Sequence, residues 1–543
     1  MAQSADRGTA AAVATADQPE YPVANPTLLI FGIMAASLLT VLDSTIANVA
    51  IPHMQSSLGA TADTVTWVLT SYIIASAVAL PITGWLSDRF GARALFIATV
   101  AGFILSSMLC GAAQNLEQMV VFRALQGVSG AFVMPLSQSF MLDTSRPSRH
   151  PQVMAIWGMG IMIGPILGPV LGGWLTESAN WRWVFYVNVP IGALALSILA
   201  ANLPHRRLKR RPFDLFGFAL IAIALTSLQL LLDRGTQIDW FASPEAWVYA
   251  VIAASAAWMA IIHLAGTGNP LFPSRMFADR NFLIALIFMA VIGVVMFATM
   301  ALLPPMLQNL FGYDVIDTGL VLMPRGVGIL ISMQISGLLL RRGFDARKSV
   351  ALGLLVTAWS LWQMAHWSLD ADVRLVVISG VVQGLGMGLA FIPLNVTAFT
   401  TLGPGLRTDG SSLLNLTRSL GASIGISITT VLLSHNVQLM HQELGAHVTA
   451  NATSLIDASS IDRYQTLGDA ALRLVDAEIN RQAAMVGYID DFYLMMWMSL
   501  LAIPLTLLMR RNQPIAEVAP RTGAGASPSS GAAQPAVRRS VPR

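Results

Sequence analysis

The residue in this sequence best placed to do chemistry is an acid, Asp43, inside a long apolar run. The run PTLLIFGIMAASLLTVLDSTIANVAIP ends at residue 52 and exceeds the roughly 20 apolar residues that cross a bilayer. A charged Asp costs about 2.5–3.5 kcal/mol at the centre of a span, so an acid there indicates a functional site. Burial disfavours the charged form of a carboxylic acid, so we expect Asp43 to bind and release a proton. The alternative is a structural Asp that is hydrogen-bonded in place.

A second charge inside an apolar run is the predicted partner of this acid. Arg123 lies about one and a half turns into the fourth run, and at about 1.5 Å per residue its depth matches that of Asp43. An Arg within a span faces the protein interior and finds a partner there. We expect Arg123 to pair with Asp43 in one state and release it in another, or else to bond only backbone carbonyls. Acids at span edges, such as Asp214, Asp490 and Asp491, could share the proton-carrying role.

The composition indicates that these residues lie in a polytopic membrane protein. The 543 residues are 55% hydrophobic and 11% charged, where a soluble protein has about 25% charged residues. Helices are expected, because every backbone group must be satisfied internally in lipid. The predicted spans are residues 28–51, 66–86, 94–113, 118–141, 153–175, 183–203, 214–232, 246–265, 282–303, 317–340, 349–366, 373–398, 412–434 and 488–509.

The same composition argues against several other kinds of chemistry. The single Cys110 excludes a disulfide framework or cysteine metal site, and no HExxH cluster of histidines is present. The chain has no GxxxxGK[ST] loop, so ATP is not the expected energy source. We therefore predict no metal and no cofactor, with protons as the coupling ion. No nucleic-acid partner is expected.

The distribution of Lys and Arg predicts the orientation and the domains. With the N-terminus inside, the cytoplasmic connections hold 18 of these residues and the outer connections 6, as the positive-inside rule requires. Both termini are then cytoplasmic. The outer loop 435–486 either docks a partner or forms a cap. The predicted domains are a disordered tail 1–26, a six-helix bundle 27–205, a two-helix insert 206–270, a second six-helix bundle 271–511 and a disordered tail 512–543.

The two predicted bundles repeat one another in sequence. GWLSDRFGAR begins at Gly84 and GLLLRRGFDAR at Gly337, and Gln126-Gly127 recurs as Gln383-Gly384. Gly164 and Gly168 recur as Gly421 and Gly425, again 257 residues later. Parallel repeats of this kind place a substrate site between the halves near the midplane of the membrane.

Several motifs, taken in order, carry a resemblance to a known family. They are LDSTIANVAIP (42–52), GWLSDRFGAR (84–93), RALQGVSGA (123–131), PLSQS (135–139), GPILGPVLGG (164–173), WRWVFYVNVPIG (181–192) and LDRGTQIDWF (232–241). The chain resembles the 14-helix drug:proton antiporters of the major facilitator superfamily, and within them the EmrB-like exporters. The resemblance implies an all-α membrane fold of two six-helix bundles with a two-helix insert. It also implies a periplasmic adaptor and an outer-membrane channel as partners, and hence a bacterial inner membrane.

The resemblance also implies two groups of functional residues beside Asp43 and Arg123. A conformational latch that favours the outward-open state would comprise Gly84, Asp88, Arg89, Gly91 and Arg93, although the arginines could serve only as topology determinants. A pliable fifth helix would depend on Gly164, Pro165, Gly168, Pro169, Gly172 and Gly173, with tight packing as the alternative. Further polar residues inside or near spans are candidates for the lining of a substrate cavity, or else for interior salt bridges and hydrogen bonds: Asn48, Gln126, Asn188, Arg325, Gln383, Asn415 and Arg418.

The expected function is proton-driven efflux of amphipathic toxic compounds by alternating access. Two rivals are a dedicated exporter of one metabolite, such as a fatty acid or siderophore, and a membrane sensor or scaffold that transports nothing. An enzyme is not expected, because no metal-ligand cluster or nucleophile–base constellation is apparent in the sequence.

Overall fold

Helices make up the fold of the computed structural model, which describes residues 17–206, 208, 211–447 and 469–510. A helix covers each of the fourteen predicted runs, and no strand occurs in these ranges, so the all-α class is confirmed. Short helical turns lie at Ala62–Val65, Pro147–Arg149, Trp183–Tyr186, Trp240–Ala242, Arg275–Ala278, Pro404–Leu406 and Ile503–Leu508. The long helices are α1 Pro26–Ser57, α2 Trp67–Ala79 (continued by Leu80–Ile82 and Thr83–Leu86), α3 Ala92–Ala112, α4 Leu116–Ala131 with Val133–Asp143, α5 His150–Ser178, α6 Asn188–Asn202, α7 Leu215–Arg234, α8 Pro244–Gly266, α9 Arg280–Asn309, α10 Val315–Arg341, α11 Ala346–Met364, α12 Val373–Thr400, α13 Arg407–His447 and α14 Asp469–Ala502.

Length and composition allow 12 helical segments of the described chain to cross a membrane. One of them, Asp63–Ala112, has 50 residues, about 75 Å of helix against a hydrocarbon core of about 30 Å, and it contains α2 and α3. The two are joined by the π-turn Ser87–Gly91, where Gly91 has a φ of +91° that only glycine adopts readily. This turn occupies the connection between the predicted spans 66–86 and 94–113, so α3 follows directly after it.

The second half of the chain repeats the helix packing of the first. A side chain at Gly164 of α5 would meet Val41 of α1, and one at Gly421 of α13 would meet Ala290 of α9. The glycines one turn further along, Gly168 and Gly425, face α1 and α9 in the same way. Small residues let two membrane helices approach closely, so the repeated glycines preserve one helix pair in both halves.

The predicted insert makes contact with both halves through α7. Gln229 Nε2 of α7 donates to Oδ1 of Asp233 at 2.8 Å and to Ser423 Oγ of α13 at 3.0 Å. On its other side Arg234 lies 5.8 Å from the ring of Trp67 in α2. The polar end of α7 therefore bridges α2 and α13, whereas α8 is largely exposed and packs against α7.

The two ends of the bundle differ in what covers them. Residues 17–25 lie at one end, here called the tail face, where the Tyr21 N–H donates to the Asp143 carbonyl and Asp17 accepts from Ser148. Ordered contacts thus begin before residue 26, the predicted end of the disordered tail. At the opposite end, here called the far face, α13 and α14 project from the bundle. His441 Nε2 of α13 lies 2.9 Å from Asp476 Oδ1 of α14 there. The predicted tail segments 1–16 and 512–543, and residues 448–468 of the long loop, lie outside the described residues.

Candidate functional site

Asp43 is completely buried among α1, α4 and α6 and accepts three side-chain hydrogen bonds. Arg123 Nη1 lies 2.7 Å from its Oδ2, and Gln126 Nε2 and Asn188 Nδ2 each lie 2.8 Å from its Oδ1. All three donors are themselves completely buried. The structure therefore brings Asp43 and Arg123 into direct contact, and it adds two of the residues predicted to line a cavity. The proton-coupling role given to this pair remains a prediction.

Several contacts fix the guanidinium group of Arg123. Its Nε donates to the Val68 carbonyl at 3.1 Å, and its Nη1 also donates to Gln126 Oε1 at 2.8 Å. The Tyr72 ring lies 4.4 Å from its Cζ, close enough for a cation–π interaction. Arg123 therefore contacts both an acid and a backbone carbonyl, so it does not bond backbone carbonyls alone. Asp43 is thus held by an ion pair to a fixed cation in the observed conformation.

The glycines of α5 pack against α1 at the level of Asp43. A side chain at Gly164 would meet Val41 and the Leu42 backbone, one at Gly168 would meet Thr45, and Thr45 Oγ1 donates to the Gly164 carbonyl at 3.3 Å. Gly172 continues the row against Ile46 and Val49, whereas nothing lies within 4 Å of a side chain at Gly173. Pro165 and Pro169 are half-buried in the same helix. The row ties α5 to the two turns of α1 around Asp43.

At the tail face the two halves meet through a cluster of uncharged polar side chains. Gln138 Nε2 of α4 donates to Asn395 Oδ1 of α12 at 3.2 Å, and Gln138 Oε1 accepts from Asn415 Nδ2 of α13 at 3.1 Å and from Ser411. Ser139 Oγ lies 2.9 Å from Thr408 Oγ1. These residues are buried, except for the half-buried Thr408, and they close the tail-face end of the seam between the two halves.

Ion pairs surround this cluster. Arg211, in the connection between α6 and α7, lies 2.8 Å from Asp409 of α13 and 3.3 Å from Asp88. Asp143 at the end of α4 lies 2.5 Å from Arg407 and 2.9 Å from Arg206. Burial alone would lower the pKa of Arg211, but the hydrogen bonds and charge of Asp409, with the charge of Asp88, raise it overall. Arg211 thus stays charged and links the Asp88 turn to the second half.

The predicted latch residues lie at this same face but act differently from one another. Gly84 has no room for a side chain, because a Cβ there would collide with the Asp409 carboxylate. Asp88 pairs with Arg211, and Gly91 provides the positive φ. Arg93 donates to the Ala200 carbonyl at 2.7 Å, which fastens α3 to α6. Arg89 is exposed.

We expect Gly84→Ala to open the tail face. The added methyl group displaces Asp409 and separates it from Arg211, and overpacking of this kind costs about 1–3 kcal/mol. Labelling of a Ser139→Cys reporter by a water-soluble maleimide should speed up about tenfold, a factor that corresponds to about 1.4 kcal/mol. The native Cys110 is buried and gives a low background. Gly173→Ala is the control, and an equal labelling rate in both variants would contradict this function of Gly84.

The other predicted cavity residues do not form a single lining. Gln383 Nε2 donates to Thr299 Oγ1 at 3.2 Å, and Arg325 Nη2 donates to the Met296 carbonyl at 3.3 Å. Arg418 Nη2 donates to Asn415 Oδ1 at 3.1 Å, next to the tail-face cluster. Asn48 is exposed on α1 and does not join the Asp43 cluster. The set is therefore divided among the Asp43 site, the second bundle and the seam.

Sequence reasoning named Asn415 but missed Gln138 and Asn395, which close the tail face with it. Gln138 and Asn395 are 257 residues apart, the repeat offset itself, so the duplication contained a signal for their contact across the axis between the halves. Asp491 was expected at a span edge. It lies in α14, which begins at Asp469, and its side chain is completely buried.

Comparison with known proteins agrees with this architecture. The family model of the Major Facilitator Superfamily matches residues 33–426. The fatty acid resistance protein FarB of Neisseria gonorrhoeae is 33% identical over 480 residues, 88% of this chain and 94% of its own. The multidrug export protein EmrB of Escherichia coli K12 is 32% identical over 488 residues, covering 89% and 94%. The proton:xylose symporter XylE has the same fold, with a TM-score of 0.58 at 13% identity over 88% of this chain and 94% of that one. The chain belongs to the major facilitator superfamily.

Proposed function

We propose that this protein is a proton-driven efflux transporter that exports amphipathic toxic compounds by alternating access. It is a membrane transporter rather than an enzyme, as its family and its multidrug-export relatives indicate. The observation that carries the proposal is the single carboxylate, Asp43, held among three buried donors in the centre of the first bundle. One elementary charge moving through 100 mV supplies about 2.3 kcal/mol.

The contacts of Asp43 suggest how protonation would move the helices. Protonation of Asp43 removes the negative charge that holds Arg123. It also removes one hydrogen-bond acceptor from the cluster. Because Gly164 and Gly168 of α5 lie directly against α1 at this level, a shift of α1 moves α5 as well. Helix α5 packs along α10 of the second half, where Gly326 meets Ile166 and Gly158 meets Met333. The Asp43 site thus has a continuous packed route to the seam between the halves.

We propose that the tail face is cytoplasmic and that the membrane is a bacterial inner membrane. The excess of Lys and Arg in the connections at this face supports the orientation. In this orientation the observed conformation is closed to the cytoplasm. Reconstitution into vesicles tests the main proposal: an imposed pH gradient should drive accumulation of the neutral dye N-phenylnaphthylamine, and the absence of any gradient-dependent transport would favour a sensor or scaffold instead.

We further propose that the protein works with a periplasmic adaptor and an outer-membrane channel. Its similarity to EmrB-type proteins supports this. Helix α13 has 41 residues, about 62 Å against a hydrocarbon core of about 30 Å, so it projects well beyond the membrane alongside α14. Site-specific crosslinking from this projection should capture the adaptor, and an empty crosslinking profile in cells that express the adaptor would count against the partnership.

A dedicated exporter of an anionic amphiphile, such as a fatty acid, is the second candidate. Arg325 is buried in the second bundle and Arg418 is half-buried beside the seam, and neither forms an ion pair among the described residues. A cation shielded from water without an acidic partner favours an anionic ligand. The relative named for fatty acid resistance fits this reading.

Arg418→Gln separates the two candidates. A charge-assisted hydrogen bond is worth about 1.5–3 kcal/mol, so the KM for a long-chain fatty acid should rise about tenfold or more. The KM for the methyl ester of the same acid should not change, because the ester carries no charge. Arg182→Gln, at the far face, is the control. Equal effects on acid and ester would contradict an anion-binding role.

A further inference from the structure

Asp491 is a completely buried acid whose carboxyl oxygens have no hydrogen-bond partner among the described residues. Arg481, earlier in α14, donates to the carbonyl of Leu310 at the far-face end of α9. Asp491 lies ten residues beyond Arg481, about 15 Å deeper. An ionised carboxylate at this place would lose its hydration and gain nothing in return, a cost of several kcal/mol. The group is therefore neutral in this conformation.

The second half of the chain repeats one hydrogen bond of the Asp43 site. Gln126 donates to Asp43, and its counterpart Gln383 donates to Thr299. Gln126 and Gln383 are 257 residues apart in the chain. Thr299 of α9 therefore accepts from the repeated glutamine, as Asp43 of α1 does in the first half. The second half keeps the amide of this site but has a threonine in place of the acid.

The last helix carries an acid near this contact. In the first half, Asn188 of α6 completes the Asp43 site, and in the second half Met495 of α14 lies 3.6 Å from Thr299 Oγ1. Asp491 is four residues from Met495, one turn away on the same face of α14. The second half therefore has a buried acid on the last helix of its bundle, one turn from the residue that contacts Thr299.

None of the described Lys or Arg side chains on the helices packed against α14 forms an ion pair or hydrogen bond with Asp491. Asp490, on α14 itself, is exposed and accepts from Asn436 of α13 at 3.0 Å. Helix α9 presents the neutral Thr299, and His366, just beyond α11, lies against the ring of Tyr493. Tyr488 on α14 is also close enough to interact with Asp491 electrostatically. Protonation is therefore the available way to remove the charge.

We propose that Asp491 is a second proton-binding site, the counterpart of Asp43 in the other half of the transporter. Hydronium in water at the far face transfers its proton to the carboxylate, which leaves water and a neutral acid, and release reverses this step. The inference rests on the proposed proton coupling and extends it, since the two sites together carry two protons in each transport cycle.

Infrared difference spectroscopy on the purified full-length protein tests the site without transport. The parent should show the C=O band of a protonated carboxyl group that persists above neutral pH. Asp491→Asn should remove this band, Asp491→Glu should restore it at a shifted frequency, and Asp490→Asn should leave it unchanged. A band that survives in Asp491→Asn, or disappears in Asp490→Asn, overturns the proposal.

Vesicle transport tests the second proton. With the membrane potential clamped at zero, each coupled proton contributes about a tenfold accumulation of N-phenylnaphthylamine per pH unit. The parent and Asp490→Asn should reach about 100-fold at one unit, and Asp491→Asn about 10-fold. Equal accumulation in the parent and Asp491→Asn overturns the proposal. A parent without any gradient-driven accumulation contradicts the proposed function instead, and the infrared result then still decides whether Asp491 holds a proton.

Discussion

Replacing Asp43 by Asn should remove the part of gradient-driven export that this site powers, while leaving substrate binding largely intact. The amide cannot exchange a proton, so the transport cycle loses one coupled charge. A coupled charge contributes about 2.3 kcal/mol at 100 mV, which corresponds to an accumulation ratio about 50-fold lower in the variant. Accumulation of N-phenylnaphthylamine in vesicles under an imposed potential of that size measures this loss.

Exchange without a gradient distinguishes lost coupling from lost structure. Asp43→Asn should still exchange labelled for unlabelled dye across the membrane, because that reaction needs no net proton movement. Asp63→Asn, an exposed acid near the far face, is the matched control and should behave as the parent does. Accumulation by Asp43→Asn that equals the parent's would exclude Asp43 as the proton carrier.

Replacing Arg123 by Met should destabilise the folded protein more than any other single change discussed above. Removing one member of a buried ion pair leaves the other charge uncompensated and typically costs about 3–5 kcal/mol. Thermal unfolding in detergent should show a large decrease in the midpoint temperature. The corresponding change at Arg182, which stacks on Trp181 at the far face, should have a small effect.

The double variant Asp43→Asn/Arg123→Met identifies the cause of that loss. With the carboxylate removed, no charge is left without a partner, so the unfolding temperature should recover most of the difference. Proton-driven transport should not recover, because the acid is absent. If the double variant is as unstable as Arg123→Met, the loss comes from the contacts of Arg123 with Val68 and Tyr72 rather than from the ion pair.

The helices were predictable because membrane crossing imposes a minimum apolar length, and the helix interiors of this chain meet it. Their outer limits were not, since a helix continues into water wherever its own sequence permits. The span predicted at residues 412–434 is the middle of α13, which reaches His447, and the span at 488–509 begins nineteen residues after the start of α14. Hydropathy reports where lipid ends, whereas the helix ends where its backbone hydrogen bonds end.

The candidate site was predictable to the extent that its residues are unusual in lipid. Asp43, Arg123 and Asn188 are conspicuous in apolar runs, and the structure brings them together. Asn48 is equally conspicuous but lies apart, because a polar residue near the end of a span can reach water. The seam residues Gln138 and Asn395 are inconspicuous individually, and their contact depends on how two bundles meet, which no local pattern encodes.

The closure at the tail face is made of amides, hydroxyl groups and ion pairs instead of a tightly packed apolar plug. When such a contact separates, water replaces each hydrogen bond at little net cost. The two halves can therefore separate at the tail face without exposing a large apolar surface to water. Dissolved salt screens the ion pairs that surround this contact, because the Debye length is only about 8 Å at physiological ionic strength. The residence time of the closed state should therefore shorten as the salt concentration on that side of the membrane rises.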